Sequence, residues 1–281
     1  MHSSAHYRQL LARLPQIAVA ADQFQVLNSA KDFKSRILSL IAGATQRIYL
    51  IALYLQDDEA GREILSALYA AKQRNPALDI KVFVDFHRAQ RGLIGKGKQG
   101  GNHLMYQAMA ARHEHQIEIY GVPVKGRELL GVLHLKGFIF DDILLYSGAS
   151  LNGIYLHRQE RYRFDRYHQI HSQALTRSMV NYVDDVFLKS EAVQRLDRPG
   201  IPGAKQLKGQ IRRFKHNLRT SQYRFESIPA NSQEIAITPM VGLGKRGNQL
   251  NRMIRNLVRA TEREIFICTP YFNPPKELNK D

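Results

Sequence analysis

Residues 132–142 read VLHLKGFIFDD and contain the pattern His-x-Lys-x4-Asp, formed by His134, Lys136 and Asp141. Side chains two residues apart on a β-strand point to the same face, so this imidazole and this ammonium group can meet one phosphate. The imidazole is suited to act as nucleophile or proton donor, and the ammonium group to neutralise charge. Asp141 can orient an imidazole and hold its useful tautomer. The pattern therefore predicts three catalytic residues.

The surroundings of this pattern predict a buried strand. Residues 132–140 are almost wholly apolar apart from His134 and Lys136, and polar groups are expensive to bury. Three fixed positions alone should occur by chance in roughly a few of every hundred chains. The alternative interpretation is a chance pair of polar residues at the end of a strand.

A second cluster, residues 147–152 with the sequence SGASLN, follows the first. Together the two resemble the signature of the phospholipase D superfamily, although Ser150 and Asn152 sit one residue late relative to the usual family spacing. Longer stretches resemble the bacterial phosphatidylserine synthases of that superfamily: residues 85–92, 120–123, 131–134, 147–152, 238–245 and 269–273.

The resemblance implies a phosphatidyl transfer. CDP-diacylglycerol would give its phosphatidyl group to His134, CMP would leave, and the hydroxyl of L-serine would then attack to give phosphatidylserine. No cofactor and no metal are implied. Ser150 and Asn152 could donate hydrogen bonds to phosphate oxygens, although the same residues also suit an ordinary turn.

Further candidates for substrate binding follow another predicted strand. His87, Arg88 and Arg91 stand at a strand end, where α/β proteins commonly bind ligands, and could contact the cytidine diphosphate. Residues 161–168 interleave arginines with aromatic rings and could serve a phosphate or a base. A structural or solvated role is the alternative for both groups.

Composition favours anionic partners. The 281 residues carry a formal net charge of +16, which suits an anionic phospholipid surface and also allows non-specific binding of nucleic acid or ribosomes. The single cysteine, Cys268, fits a reducing compartment, and its apolar neighbours predict a buried thiol. The longest apolar run, residues 48–55, is far shorter than the about 20 residues of a membrane-spanning helix. We therefore expect a cytoplasmic protein bound peripherally to the inner membrane surface.

Strands alternate with helices along the chain, which predicts an α/β fold: a phospholipase-D-like sandwich of a mostly parallel sheet flanked by helices. Residues 37–55 and 254–272 share the order helix, Ala-Thr-x-Arg, apolar strand, which indicates an internal repeat. We expect one complete half at residues 1–190, a basic linker at 191–234, and the incomplete start of a second half at 235–281.

The linker is expected to hold a basic amphipathic helix. Residues 195–224 contain nine lysines or arginines and one acidic residue, and an apolar stripe runs through Leu207, Ile211, Phe214 and Leu218. Such a helix can lie on anionic lipid. The alternative is a helix that packs its stripe on the protein and solvates its charges.

A second His-x-Lys-x4-Asp motif does not occur in the 281 residues, and by the spacing of the repeat it would fall beyond Asp281. We therefore expect a piece of a longer enzyme, while a symmetric dimer sharing one site remains the other route, and the oligomeric state stays open. Three functions compete on sequence alone: phosphatidyl transfer, a phospholipase-D-like phosphodiesterase or nuclease, and an inactive fragment.

Overall fold

The computed structural model describes residues 3–91, 100–125, 131–157, 163–244 and 248–268. Within these ranges the helices are α1 (Ser4–Ala12), α2 (Ala30–Gly43), α3 (Glu59–Arg74), α4 (Phe86–Gln90), α5 (His103–Ala110), α6 (Gln173–Tyr182), α7 (Lys208–Thr220) and α8 (Gln249–Ala260). The strands are β1 (Ile17–Ala20), β2 (Phe24–Leu27), β3 (Arg47–Ile51), β4 (Asp79–Asp85), β5 (Glu118–Val122), β6 (Gly137–Phe140), β7 (Ile143–Tyr146), β8 (Tyr167–His171), β9 (Gln194–Arg195) and β10 (Glu234–Ile237). A π-helical segment, Val183–Leu188, continues α6.

Side-chain caps fix where several helices begin. The hydroxyl oxygen of Ser29 accepts the backbone N–H of Asp32 at 3.0 Å at the start of α2, and a carboxylate oxygen of Asp58 accepts that of Gly61 at 2.9 Å at the start of α3. Each bond satisfies one of the N–H groups that a helix leaves open at its first turn. The cap of α2 is thus Ser29.

Eight strands form one sheet in the order β2-β8-β7-β6-β3-β4-β5-β9. The pairs β3–β4 and β4–β5 are parallel, and the other five neighbouring pairs are antiparallel. The predicted α/β class with flanking helices is confirmed, but the sheet is mixed and not mostly parallel. The reason is local: only residues 141 and 142 connect β6 to β7, and so short a connection can join only antiparallel strands.

Helices cover both faces of this sheet. On one face Phe33 of α2 stacks on Phe138 of β6, with ring centroids 6.0 Å apart. On the other face Phe83 of β4 lies 5.9 Å from Phe187 in the π-helical segment, which in turn lies 5.9 Å from Phe214 of α7. Side chains of the sheet thus pack against α2 on one face and against the π-helical segment on the other, since side chains of a β-strand alternate between its two faces.

The basic helix of the linker, α7, packs on the protein. Its stripe residues Ile211, Phe214 and Leu218 are buried, while Arg212 and Arg213 on its outer side are exposed. The stripe is therefore not free to enter lipid, and the alternative interpretation of this helix is the correct one. Its charges still face solvent.

Residues after the linker return to the N-terminal elements. β10 pairs antiparallel with β1 in a two-stranded sheet, and Arg259 of α8 lies over the ring of Tyr7 in α1, 5.4 Å from its centroid. The strand predicted from residue 265 does not form within residues 265–268, where Phe266 and Cys268 are exposed. The thiol is thus not buried, and among the described residues no strand pairs with this stretch. The division into two halves and a linker stays a prediction.

Among the residues that the structure describes, no helix combines the length and the apolar character needed to cross a bilayer. Residues 92–99 and the stretch 269–273 lie outside the described residues.

Candidate active site

The strand next to His134 and Lys136 is shorter than predicted. β6 begins only at Gly137, and residues 131–136 precede it outside any strand. Gly137 has a φ of 144°, which other residues rarely adopt, and a Cβ there would lie 2.5 Å from Cε of Met179. The predicted strand 132–140 is therefore wrong in its first five residues, because the regular pleat stops at this glycine.

A buried carboxylate joins this segment to the end of β4. Asp85 has no exposed surface, and its Oδ1 accepts the backbone N–H groups of His87 and Arg88 at 3.0 and 2.9 Å. Its Oδ2 accepts the backbone N–H of Leu133 at 2.8 Å. Burial raises the pKa of Asp85, and these N–H donors oppose the rise. One side chain thus holds the start of α4 beside the residue that precedes His134.

Positive charges surround His134. Partial burial lowers the pKa of its imidazole, and the charges of Lys136 and Arg88 lower it further. Burial also lowers the pKa of Lys136 to about 8, and its Nζ donates to the backbone oxygen of His134 at 3.2 Å. A lowered pKa favours the neutral imidazole near neutral pH, and the neutral form is the one that can attack phosphorus.

Asp165 brings a negative charge to the same region. Its carboxylate opposes the effect of burial on the pKa of Lys136. A Cβ on Gly148 would lie 2.6 Å from Oδ2 of Asp165, so the glycine leaves room for the carboxylate. Asp165 stands among arginines and aromatic residues without a recognisable spacing, so no pattern in the sequence distinguishes it.

Asp141 lies at the opposite end of β6 from His134, and that strand spans roughly 13 Å at the usual rise per residue. Its Oδ1 accepts the backbone N–H groups of Gln46 and Arg47 at 2.8 and 2.9 Å, and its Oδ2 accepts the N–H and the hydroxyl of Thr45 at 2.8 and 3.0 Å. Burial alone would raise the pKa of Asp141, but the backbone donors outweigh it and lower the pKa. Within this chain the carboxylate fastens the α2–β3 connection, and a catalytic role of Asp141 stays a prediction.

The three residues expected to contact cytidine diphosphate separate into different environments. Arg88 is close enough to His134 to lower its pKa. His87 has its Nε2 2.7 Å from the backbone oxygen of Lys125, so its ring supports the segment that carries that lysine. Arg91 is exposed and directly precedes residues outside the described ranges. Contact of all three with a nucleotide stays a prediction.

Ser150 and Asn152 are both buried. Nδ2 of Asn152 donates to Oε1 of Gln56 at 3.1 Å and to the hydroxyl of Tyr54 at 3.3 Å, and its Oδ1 accepts the N–H of Tyr155 at 3.1 Å. These contacts are those of a residue that stabilises a turn. A direct bond from either residue to phosphate stays a prediction.

His134 and Lys136 line a cavity of about 690 Å³. Its other walls come from β7, β8, α6, the π-helical segment, α7 and residues 237–244. The volume is that of ordinary small-molecule sites. Lys125, which the sequence did not single out, adds another positive charge to the lining. Within the described ranges, no three His, Cys, Asp or Glu side chains lie close enough to hold a metal ion.

Comparison with known proteins identifies relatives along almost the whole chain. The CDP-diacylglycerol–serine O-phosphatidyltransferases of Haemophilus influenzae and Escherichia coli are each 44% identical to it, over 96% and 97% of its length. The chain is a relative of the bacterial phosphatidylserine synthases. A crystal structure of phosphatidylserine synthase from H. influenzae has 41% identity, covers 100% of this chain and gives a TM-score of 0.90. No protein-family model matches the chain.

This similarity confirms the resemblance to the phosphatidylserine synthases that the sequence motifs indicate. The chain spans 60% of the length of each of these two curated relatives and 62% of the crystallised synthase. The activity of the full-length relatives is therefore a basis for proposals about this chain.

Replacing Asp141 by Asn tests whether this residue supports the fold or the chemistry. Asparagine tolerates the positive φ of 52° at this position but cannot offer two charged acceptors. We expect the free energy of unfolding to fall by about 1–3 kcal/mol, because buried or partly buried donors lose a charged partner. Urea unfolding measures this loss. Since the pKa of Asp141 is lowered in the folded chain, the difference from the wild type should vanish as the pH falls through that pKa.

Asp142→Asn, in the neighbouring residue, is the matched control and should unfold like the wild type. A normal stability of Asp141→Asn together with an altered pKa of His134 would favour the original interpretation as an orienting residue.

Replacing Lys136 by Met should raise the pKa of His134. The charge of Lys136 is one cause of the lowered pKa, so its removal makes the imidazolium easier to form. NMR titration of the ring protons of His134 measures the change. Lys125→Met, which removes another lysine of the cavity lining, should give a smaller shift. An unchanged titration in Lys136→Met would show that the two side chains do not interact.

Proposed function

We propose that this chain carries the phosphatidyl-accepting histidine of a CDP-diacylglycerol–serine O-phosphatidyltransferase. The observation that carries the proposal is the position of His134: its imidazole, Lys136 and an apolar cavity adjoin one another. A phosphatidyl group has the same two parts, an anionic phosphate and apolar acyl chains. The 44% identity to curated enzymes of this activity supports the same conclusion.

In the proposed reaction, a nitrogen of the neutral His134 attacks the phosphorus that carries diacylglycerol. The bond from that phosphorus to the CMP oxygen breaks, CMP leaves, and a phosphatidyl-histidine forms. The hydroxyl of L-serine then attacks the same phosphorus, the P–N bond breaks, and phosphatidylserine is released with the serine proton transferred to a base. Both steps displace one group from phosphorus by another, so neither requires an oxidant or a reductant.

The charges around His134 support the first step. Burial, and after it the charges of Lys136 and Arg88, lowers the pKa of the imidazole, and the same two cations can neutralise the nonbridging oxygens of the phosphodiester. Lys136 has a pKa of about 8, so this contribution should decline as the pH rises through that value. The neutral imidazole and the charged lysine therefore coexist best near neutral pH.

The cavity also separates this proposal from the phosphodiesterase alternative. A net charge of +16 attracts nucleic acid and lipid surfaces alike. The cavity beside His134 is walled by aliphatic side chains such as Leu175, Met179 and Leu218 as well as by aromatic ones such as Tyr182, and this mainly apolar lining suits acyl chains. The lining therefore favours a lipid phosphodiester.

We further propose that the chain works in the cytoplasm, bound peripherally to the anionic inner membrane surface. The exposed basic residues of α7 support this location, since its apolar stripe is occupied within the protein. Attraction would then depend on charge, and each basic side chain near such a surface contributes about 1 kcal/mol.

Replacing His134 by Ala tests the proposed nucleophile. We expect the release of CMP from CDP-diacylglycerol to fall by about 10³-fold or more, because the group that forms the covalent intermediate is lost. Radiolabelled lipid should also no longer form an acid-labile bond to the protein. His171→Ala, an exposed histidine at the far end of β8, should retain the wild-type rate.

Near-normal release of CMP by a folded His134→Ala variant would overturn the proposal. Cleavage of DNA by the wild type, dependent on His134 and without release of CMP, would replace it with the nuclease alternative.

Replacing Arg212, Arg213 and Lys215 by Gln tests the membrane surface. We expect binding to vesicles of phosphatidylglycerol and phosphatidylcholine to weaken by about 3 kcal/mol at low salt, since three charges are removed. The wild type should also weaken steeply with added salt. Co-sedimentation with the vesicles measures both effects.

The matched control replaces Lys31, Arg74 and Arg112 by Gln, three exposed basic residues outside α7. It removes the same net charge and should weaken binding less. Equal losses in the two triple variants would show that only the total charge matters, and salt-independent binding would exclude an electrostatic contact.

A further inference from the structure

The cavity beside His134 has two chemically different parts. Lys125, His134 and Lys136 contribute its charged groups. Away from them, aliphatic side chains of β7, β8 and α6 line the wall, and Tyr182, Phe187 and Tyr223 add aromatic surface. An anionic group with a long apolar extension matches this arrangement in both charge and polarity.

The apolar part is formed by elements that are distant in sequence. Leu218, the last buried residue of the α7 stripe, reaches the cavity, and the segment from Ile237 to Gly244 supplies another wall. Tyr182 and Tyr223 contact each other with ring centroids 4.9 Å apart. Burial raises the pKa of both phenols, which therefore stay neutral and add no charge to this part of the lining.

We propose that this cavity receives one acyl chain of the lipid phosphodiester whose phosphate lies between His134 and Lys136. The inference rests on the proposed function. It adds that the protein binds an acyl chain of the lipid as well as the lipid phosphate. The acyl chain extends from the charged residues past Met179 towards Leu218 and Met240. The second acyl chain and the nucleotide lie outside this cavity.

The size and lining of the cavity support one chain as its occupant. At about 690 Å³ it falls within the range of drug-sized ligand sites, which enclose most of their ligand. Burying apolar surface contributes about 25 cal/mol per Å², so a methylene chain gains affinity along its whole length. A nucleoside against the aliphatic part of this lining would bury polar groups, and each one left without a hydrogen bond costs about 1–3 kcal/mol.

The absence of tryptophan from the whole sequence permits a direct test. Met240→Trp introduces a single indole into the half-buried wall of the cavity. The probe is phosphatidic acid with brominated acyl chains, because bromine quenches an indole only at contact. We expect loss of most of the indole emission, and recovery when unbrominated phosphatidic acid is added in excess. Inorganic phosphate and CMP should not restore it.

Leu104→Trp is the matched control, since Leu104 is 50% exposed on α5 and does not line the cavity. Its emission should remain. Leu243→Trp, at another position of the cavity wall, repeats the measurement if Met240→Trp does not fold. Circular dichroism establishes that each variant is folded.

Quenching at the cavity but not at position 104 supports the acyl-chain site. If the protein shows this quenching but releases no CMP, the acyl-chain site stands and only the proposed phosphatidyl transfer fails. Equal quenching at both positions means general association with lipid and overturns the inference. Release of CMP without quenching in folded cavity variants also overturns it, because the lipid is then bound with its chains elsewhere.

Discussion

The buried carboxylate of Asp85 is the contact on which the arrangement of the site depends. It accepts N–H groups from Arg88 in α4 and from Leu133, the residue before His134. Burying a carboxylate is unfavourable, as its raised pKa shows, and it is tolerated here because three backbone donors surround it. Residues 131–136, which include His134, do not belong to a strand. The hydrogen bond from Leu133 to Asp85 therefore positions this segment where strand pairing does not.

Partial burial then gives His134 and Lys136 complementary properties. Burial destabilises the charged form of each side chain, so the pKa of each is lowered. For His134 this favours the nucleophilic neutral form, whereas Lys136 remains mostly protonated below a pKa of about 8. Asp165 limits how far the pKa of Lys136 falls. The same desolvation thus prepares one group to attack and leaves the other able to neutralise phosphate.

The sequence was sufficient for the main helices, the central strands and the meeting of His134 with Lys136, because these follow from hydrophobic periodicity and a local motif. It was not sufficient where long-range contacts decide. The spacing of Asp141 does not show that its carboxylate bonds to the α2–β3 connection at the other end of β6. Asp85 and Asp165 carry no spacing signal, because Leu133 lies 48 residues from Asp85 and Lys136 belongs to a different segment of the chain from Asp165. The alternation of strands and helices does not show the mixed sheet, because the antiparallel pairing of β6 and β7 follows from a two-residue connection.

The linker helix shows how one amphipathic pattern can serve two surfaces. Sequence alone offers two interpretations of α7, a helix lying on lipid or a helix packed on protein. In the structure its apolar side is packed, and Leu218 on that side lines the cavity beside the charged residues. Its basic side faces solvent. If both proposals hold, the helix contacts the anionic membrane on one side and a lipid chain on the other. One acyl chain leaving the membrane would then exchange one apolar environment for another, while the phosphate passes from a basic surface to His134 and Lys136.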